Sequence, residues 1–222
     1  HPPRGSVLLE GSDVTRIAAR DLIRRVGYVF QNPEHQFITE SVAHELSFGL
    51  RLMGLPEAEI ETRVGALLEQ FGLSHLARAN PFTLSQGEKR RLSVATMLAV
   101  GQDTLILDEP TFGQDQRNAE ALMQLLSELH AAGRTVIVIT HDMTLVAEYA
   151  LHVAVMVEGQ LRFHGPTADV FARPELLAQA RLTLPPLAEL SQRLAARNPA
   201  WGGLLTVDQF LAAFTTAQAM EN

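Results

Sequence analysis

The sequence predicts an α/β protein built on a mostly parallel sheet, with a helical insertion and a small helical C-terminal tail. Three observations predict it. Between Thr104 and Glu158, short apolar β-branched runs alternate with segments of helical periodicity, the pattern that joins parallel strands through helical crossovers. From about residue 40 to 80, apolar side chains recur at helical spacing instead. Beyond Gly165-Pro166, the prolines at 174, 185, 186 and 199 divide a run of short helical segments.

Each element has its own signal. Gly5 to Gly11 reads as a short strand closed by a turn glycine, and Ile17 to Arg25 as a basic helix. Val26 to Phe30 is β-branched and aromatic, and reads as a buried strand that stops at Gln31-Asn32-Pro33. Ser41–Leu52 and Glu57–Phe71 read as helices split by Gly54 and Pro56. A helix from Gly87 to Val100 places Leu92, Ala95, Thr96 and Ala99 on one face. Then follow strand 104–108, helix 116–131, strand 134–140, helix 142–149 and strand 152–158, with Gly133 as a helix stop. A turn at Glu158-Gly159 leads into an antiparallel strand over Gln160–His164. Helices near 175–182, 186–197 and 206–218 complete the chain, the last with a stripe of Val207, Phe210, Leu211 and Phe214. The expected domains are 1–165, with a helical subdomain at about 38–90, and 166–222.

Composition narrows the function. A formal charge of -7 over 222 residues argues against nucleic acid as the main partner. The densest basic cluster, Lys89-Arg90-Arg91, is short. With no cysteine, disulfides and thiolate metal sites are excluded. The longest apolar runs, such as Val153–Val157, fall well below the ~20 residues that span a bilayer. No signal-peptide pattern is present. A chain that opens on His1 is expected to be a processed product or a segment of a longer one, because the strand-like run at Gly5 follows at once.

The candidate chemistry lies at strand ends and helix starts. Asp108 and Glu109 close an apolar strand, where a carboxylate faces the ligand crevice of a parallel sheet. One carboxylate there can hold Mg²⁺ and the next can polarise an attacking water. A charged strand end entering a turn has the same sequence. Ser85 and Gly87 stand at a helix start, where free amides suit a phosphate and glycine permits close approach. Ser85 with Glu88 three residues on is equally a capping box. Gln31 and His141 each follow a strand, one able to ligate Mg²⁺ and the other to contact a terminal phosphate. Either is an ordinary strand-end residue when taken alone. Asp115 reads as the N-cap of helix 116–131.

In chain order, Gln31, Leu84-Ser85-Gln86-Gly87-Glu88, Thr104–Pro110, Gly113–Asp115 and His141 resemble the Q-loop, signature, Walker B, D-loop and H-loop of ABC ATPases. The phrases Val29-Phe30-Gln31-Asn32-Pro33-Glu34-His35-Gln36-Phe37 and Asp108-Glu109-Pro110-Thr111-Phe112-Gly113-Gln114-Asp115 resemble the ATPase subunits of energy-coupling factor (ECF) importers and of cobalt and nickel importers. Gln86 and Glu88 replace the Gly and Gln of many ABC signatures, a change common in the ECF group. No G-x-x-x-x-G-K-[ST] loop occurs in the 222 residues, although the family places this Walker A loop upstream of the other motifs.

The resemblance implies a P-loop NTPase-like core lacking its N-terminal part, and, when complete, an ATPase using ATP and Mg²⁺; without a Walker A loop these 222 residues alone are expected not to hydrolyse their own ATP at a useful rate. It implies Glu109, His141 and Gln31 as catalytic residues, and Asp108 with Gln31 at the metal. Ser85, Gln86, Gly87, Glu88 and Asp115 would address the nucleotide of a partner. Implied partners are a second ABC ATPase in a homo- or heterodimer, a transmembrane T component and a substrate-binding membrane subunit. The implied place is the cytoplasmic face of the membrane, and the cargo a vitamin, a vitamin precursor or a transition-metal ion. Two rival readings stand beside this one. The chain could be a non-catalytic subunit that lends only its signature loop and D-loop to another ATPase. It could also be a soluble ABC protein acting on ribosomes or DNA, which the negative charge disfavours.

Overall fold

A computed structural model describes the backbone of residues 3–221 and the side chains of residues 3–215. By internal contacts the chain forms two compact units, His1–Thr140 and His141–Asn222.

The first unit opens with a small hairpin, β1 (Leu8–Leu9) and β2 (Ser12–Asp13). Glu10 and Gly11 make its turn with φ of 49° and 76°, the paired positive values of a type I′ turn. The expected strand over Gly5–Gly11 is thus cut to its last residues. The expected helix over Ile17–Arg25 shrinks to α1 (Ala19–Leu22), whose N-cap Ala18 offers no side-chain acceptor.

β3 (Val26–Val29) follows and leads into the helical insertion, α2 (Val42–Leu52) and α3 (Glu57–Gln70). Ser41 caps α2 by accepting from the His44 amide. Glu45, buried on α2, accepts from the Ile38 and Thr39 amides and from the Thr39 hydroxyl, so the chain leaving β3 is tied to the insertion. α4 (Gln86–Ala99) packs on β3 and on α2, with Leu92, Ala95 and Ala99 buried as their spacing predicts.

β4 (Thr104–Asp108), α5 (Gln116–Ala131) and β5 (Thr135–Ile139) complete the unit. β3, β4 and β5 form a parallel three-stranded sheet in that spatial order. Leu105 and Leu107 are fully buried in the central strand. Val29 pairs with Leu107 and Asp108 with Ile139, so all three strands deliver their carboxyl ends to one edge. The expected buried strand at Val26–Phe30 is buried on one face only, since Tyr28 and Phe30 are exposed.

The second unit holds α6 (Met143–Tyr149), β6 (His152–Val157) and β7 (Gln160–Pro166). Next come α7 (Thr167–Phe171), α8 (Pro174–Gln179), α9 (Pro186–Ala195) and α10 (Val207–Glu221). β6 and β7 pair antiparallel in a sheet of their own, around a second type I′ turn at Glu158-Gly159. The hairpin is as expected. Val155 and Phe163 share a core with Val170, Phe171, Leu177 and Leu205. The α10 stripe is outward: Val207, Leu211 and Phe214 are exposed, while the Phe210 ring stands 6.2 Å from that of Trp201. Among the described residues no helix is long and apolar enough to cross a membrane.

Candidate functional site

The carboxyl edge of the parallel sheet collects the candidate residues of the first unit. Asp108 ends β4 and lines a groove of about 580 Å³. Gln31, two residues past β3, lines the same groove, as do Gln86 at the start of α4 and Phe112-Gly113 after β4. Sequence spacing could not bring these segments together. The parallel register does so by ending adjacent strands level.

Asp108 accepts a hydrogen bond from the Tyr28 hydroxyl at 3.2 Å. Burial, and then the Asp108 carboxylate, push the Tyr28 pKa up, so the phenol stays a donor. Glu109 holds a left-handed backbone, with φ of 43°. For a non-glycine residue this conformation persists only under surrounding constraint. The constraint is visible: its amide donates to the Ile139 carbonyl at 2.8 Å, and its Oε2 accepts from the Thr140 hydroxyl at 3.1 Å. The turn aims Glu109 off the strand and pins it to the end of β5. His141 follows Thr140 in the chain and is exposed at the start of the second unit.

Ser85 caps α4 in a full capping box. Its amide and hydroxyl both donate to Glu88 Oε2, at 2.8 and 2.7 Å, and its Oγ accepts from the Glu88 amide at 3.4 Å. The Ser85 side chain and then its amide hold the Glu88 carboxyl below its usual range. The Gln86 and Gly87 amides have no acceptor among the described residues. The cap thus leaves these two amides without a protein acceptor, as at most helix starts. Gly87 has a further role, because it is buried against Asn118 of α5. Asp115 is the N-cap of α5 as expected, accepting from the Asn118 amide at 3.0 Å.

Oxygen donors suit a hard cation, and Mg²⁺ is held by one or two protein carboxylates with the remainder from phosphates and water. Asp108 and Gln31 both line the groove, and a carboxylate with an amide oxygen fits that donor requirement.

Besides Tyr28, sequence reasoning missed three residues. Arg90, on α4, is 3% exposed. Its guanidinium donates to the Phe30 carbonyl at 2.5 Å and the Gln31 carbonyl at 2.6 Å, and reaches toward the Glu109 carbonyl at 3.5 Å. Burial lowers its pKa, and the Asp108 charge opposes that shift. Beside it, buried Lys89 pairs with Glu34 at 2.6 Å. The third is Asn118. The signal for Arg90 was present: it shares the Gly87–Val94 face of α4, where an arginine is out of place unless it is bonded. Tyr28 and Asn118 carry no comparable signal.

Known proteins place this arrangement. A family described as ABC transporter matches residues 1–112. A "Putative ABC transporter ATP-binding protein" of Methanosarcina acetivorans is 43% identical over 221 residues, covering 99% of this chain and 36% of the relative. The "Putative HMP/thiamine import ATP-binding protein YkoD" of Bacillus subtilis is 47% identical over 189 residues, or 85% of this chain and 34% of the relative. A third relative, from Pyrococcus furiosus and described like the first, is 41% identical and has 75% of its length covered. Among solved structures, cbiO1 of Clostridium perfringens, part of the ABC transporter complex cbiONQ, superposes with a TM-score of 0.69 at 33% identity. That match covers 86% of this chain and 72% of the other. The chain spans about a third of the length of the first two relatives, 36% and 34%.

Proposed function

The chain belongs to the ABC transporter ATP-binding family, and from that premise we propose that it is the ATP-binding and hydrolysing part of an ECF-type importer. Its cargo is a vitamin, a vitamin precursor or a transition-metal ion. The likeness to YkoD and to cbiO1 supports the ECF assignment. The observation that carries the reading is the meeting of Gln31 and Asp108 on one groove, with Glu109, next to Asp108, pinned by Thr140.

In this reading Glu109 polarises the attacking water as general base. Its left-handed turn and the Thr140 bond hold the carboxylate in one orientation. Asp108 and Gln31 hold Mg²⁺, which when bound neutralises charge on the terminal phosphates. His141 contacts the γ-phosphate. Ser85, the Gln86 and Gly87 amides and Asp115 address the nucleotide of a second ABC ATPase, with Glu88 holding the Ser85 cap. A transmembrane T component and a substrate-binding membrane subunit complete the assembly at the cytoplasmic face. The test is Glu109→Gln in the intact protein. Mg²⁺-dependent ATP turnover should fall by on the order of 10²-fold or more while nucleotide binding persists. Unchanged turnover would remove Glu109 from the catalytic role.

A further inference from the structure

We propose that Asn118 is a positioning residue that locks the Asp115 loop to the signature helix α4, so that both reach a partner's nucleotide as one rigid unit. This rests on the reading above, in which Ser85–Glu88 and Asp115 address the same nucleotide. An N-cap needs only the Asn118 backbone amide, which any residue but proline supplies. Here the side chain adds a second bond. Asn118 Nδ2 donates to Asp115 Oδ2 at 2.7 Å while the amide donates to Oδ1 at 3.0 Å. Both carboxylate oxygens of an exposed loop residue are thereby held by one neighbour.

The other end of the carboxamide faces α4. Asn118 Oδ1 accepts from Arg91 Nη1 at 3.4 Å. A Cβ placed on Gly87 would stand 3.0 Å from both Asn118 Oδ1 and Cγ. That is tighter than ordinary carbon packing, so the amide would have to give by a few tenths of an ångström. Asn118 thus favours a glycine at position 87 independently of any phosphate. An alanine there would press on Asn118, and through it on Asp115. The chain of contacts runs from Gly87 and Arg91 through one amide group to Asp115, and every link lies within the first unit.

The experiment compares Asn118→Ala, Gly87→Ala and the double variant in the intact protein, by amide hydrogen exchange and by ATP turnover. Asn118→Ala is expected to speed exchange over residues 112–118 by about tenfold, leaving β4 unchanged. At saturating ATP its kcat should fall by about tenfold with KM within about threefold. Gly87→Ala should reproduce both effects, and the double variant should be no worse than Asn118→Ala, because coupled residues are non-additive. Unchanged exchange over 112–118, or defects that add in the double variant, would overturn the proposal. Wild-type protein that turns over no ATP would fail the functional reading instead, and the exchange arm would still decide the link.

Discussion

Arg90 illustrates how one residue can organise a site through the backbone carbonyls around it. A buried guanidinium is costly unless its donors are used. Here they are used on backbone carbonyls at the ends of β3 and β4, with the Asp108 carboxylate supplying the opposing charge. Arg90→Met keeps much of the volume but strands the Phe30 and Gln31 carbonyls. We expect a loss of about 3 kcal/mol in chemical denaturation, the scale of leaving buried acceptors unsatisfied. The exposed Arg63→Met should cost under about 1 kcal/mol, since its pair with Glu59 is a surface one. At this scale the sequence placed Asp108, Glu109 and Gln31 at strand ends, and the sheet register brings those ends to one edge. It was silent on Tyr28 and Asn118, because a tyrosine on a strand and an asparagine in a first helical turn are commonplace.

Among the elements, α4 is the most fully specified by local sequence. Ser85, Glu88 and the apolar spacing from Leu92 onward predict both its start and its buried face, and the helix runs from Gln86 to Ala99. Ser85→Ala should cost about 1 kcal/mol of stability through loss of the cap, read as a lowered denaturation midpoint. The cap also carries a pH signature. The folded Glu88 carboxyl titrates below its usual range, so its contribution is present above the unfolded value of 4.5 and is lost as pH falls through the lower folded value. Wild type should therefore lose its advantage over Ser85→Ala in acid, and an advantage that grew below pH 4 would contradict the cap geometry. The two type I′ turns were less evenly readable. Glu158-Gly159 was clear because strand-like runs flank it, whereas the run before Glu10-Gly11 suggested a longer strand than the two residues that pair.

Over the whole molecule, two cores should respond separately. Phe171 is 3% exposed within the core of the second unit. Phe171→Ala should cost about 3–5 kcal/mol, with faster hydrogen exchange in residues 143–205 and little change in β3 and β4.

Sequence alone determined the fold class, the order of the elements apart from β2 and α7, and most helix limits, because periodicity, caps and turn residues act over a few neighbours. It also marked the residues whose order matches the ABC family. Only the tertiary structure decided which strand ends lie level, that the β6–β7 hairpin shares a core with the helices after it, and that Arg90 and Asn118 join segments far apart in the chain. Those outcomes depend on burial and on backbone carbonyls, whose partners no local pattern encodes. A carbonyl at Gln31 looks the same in sequence whether water or a buried arginine satisfies it.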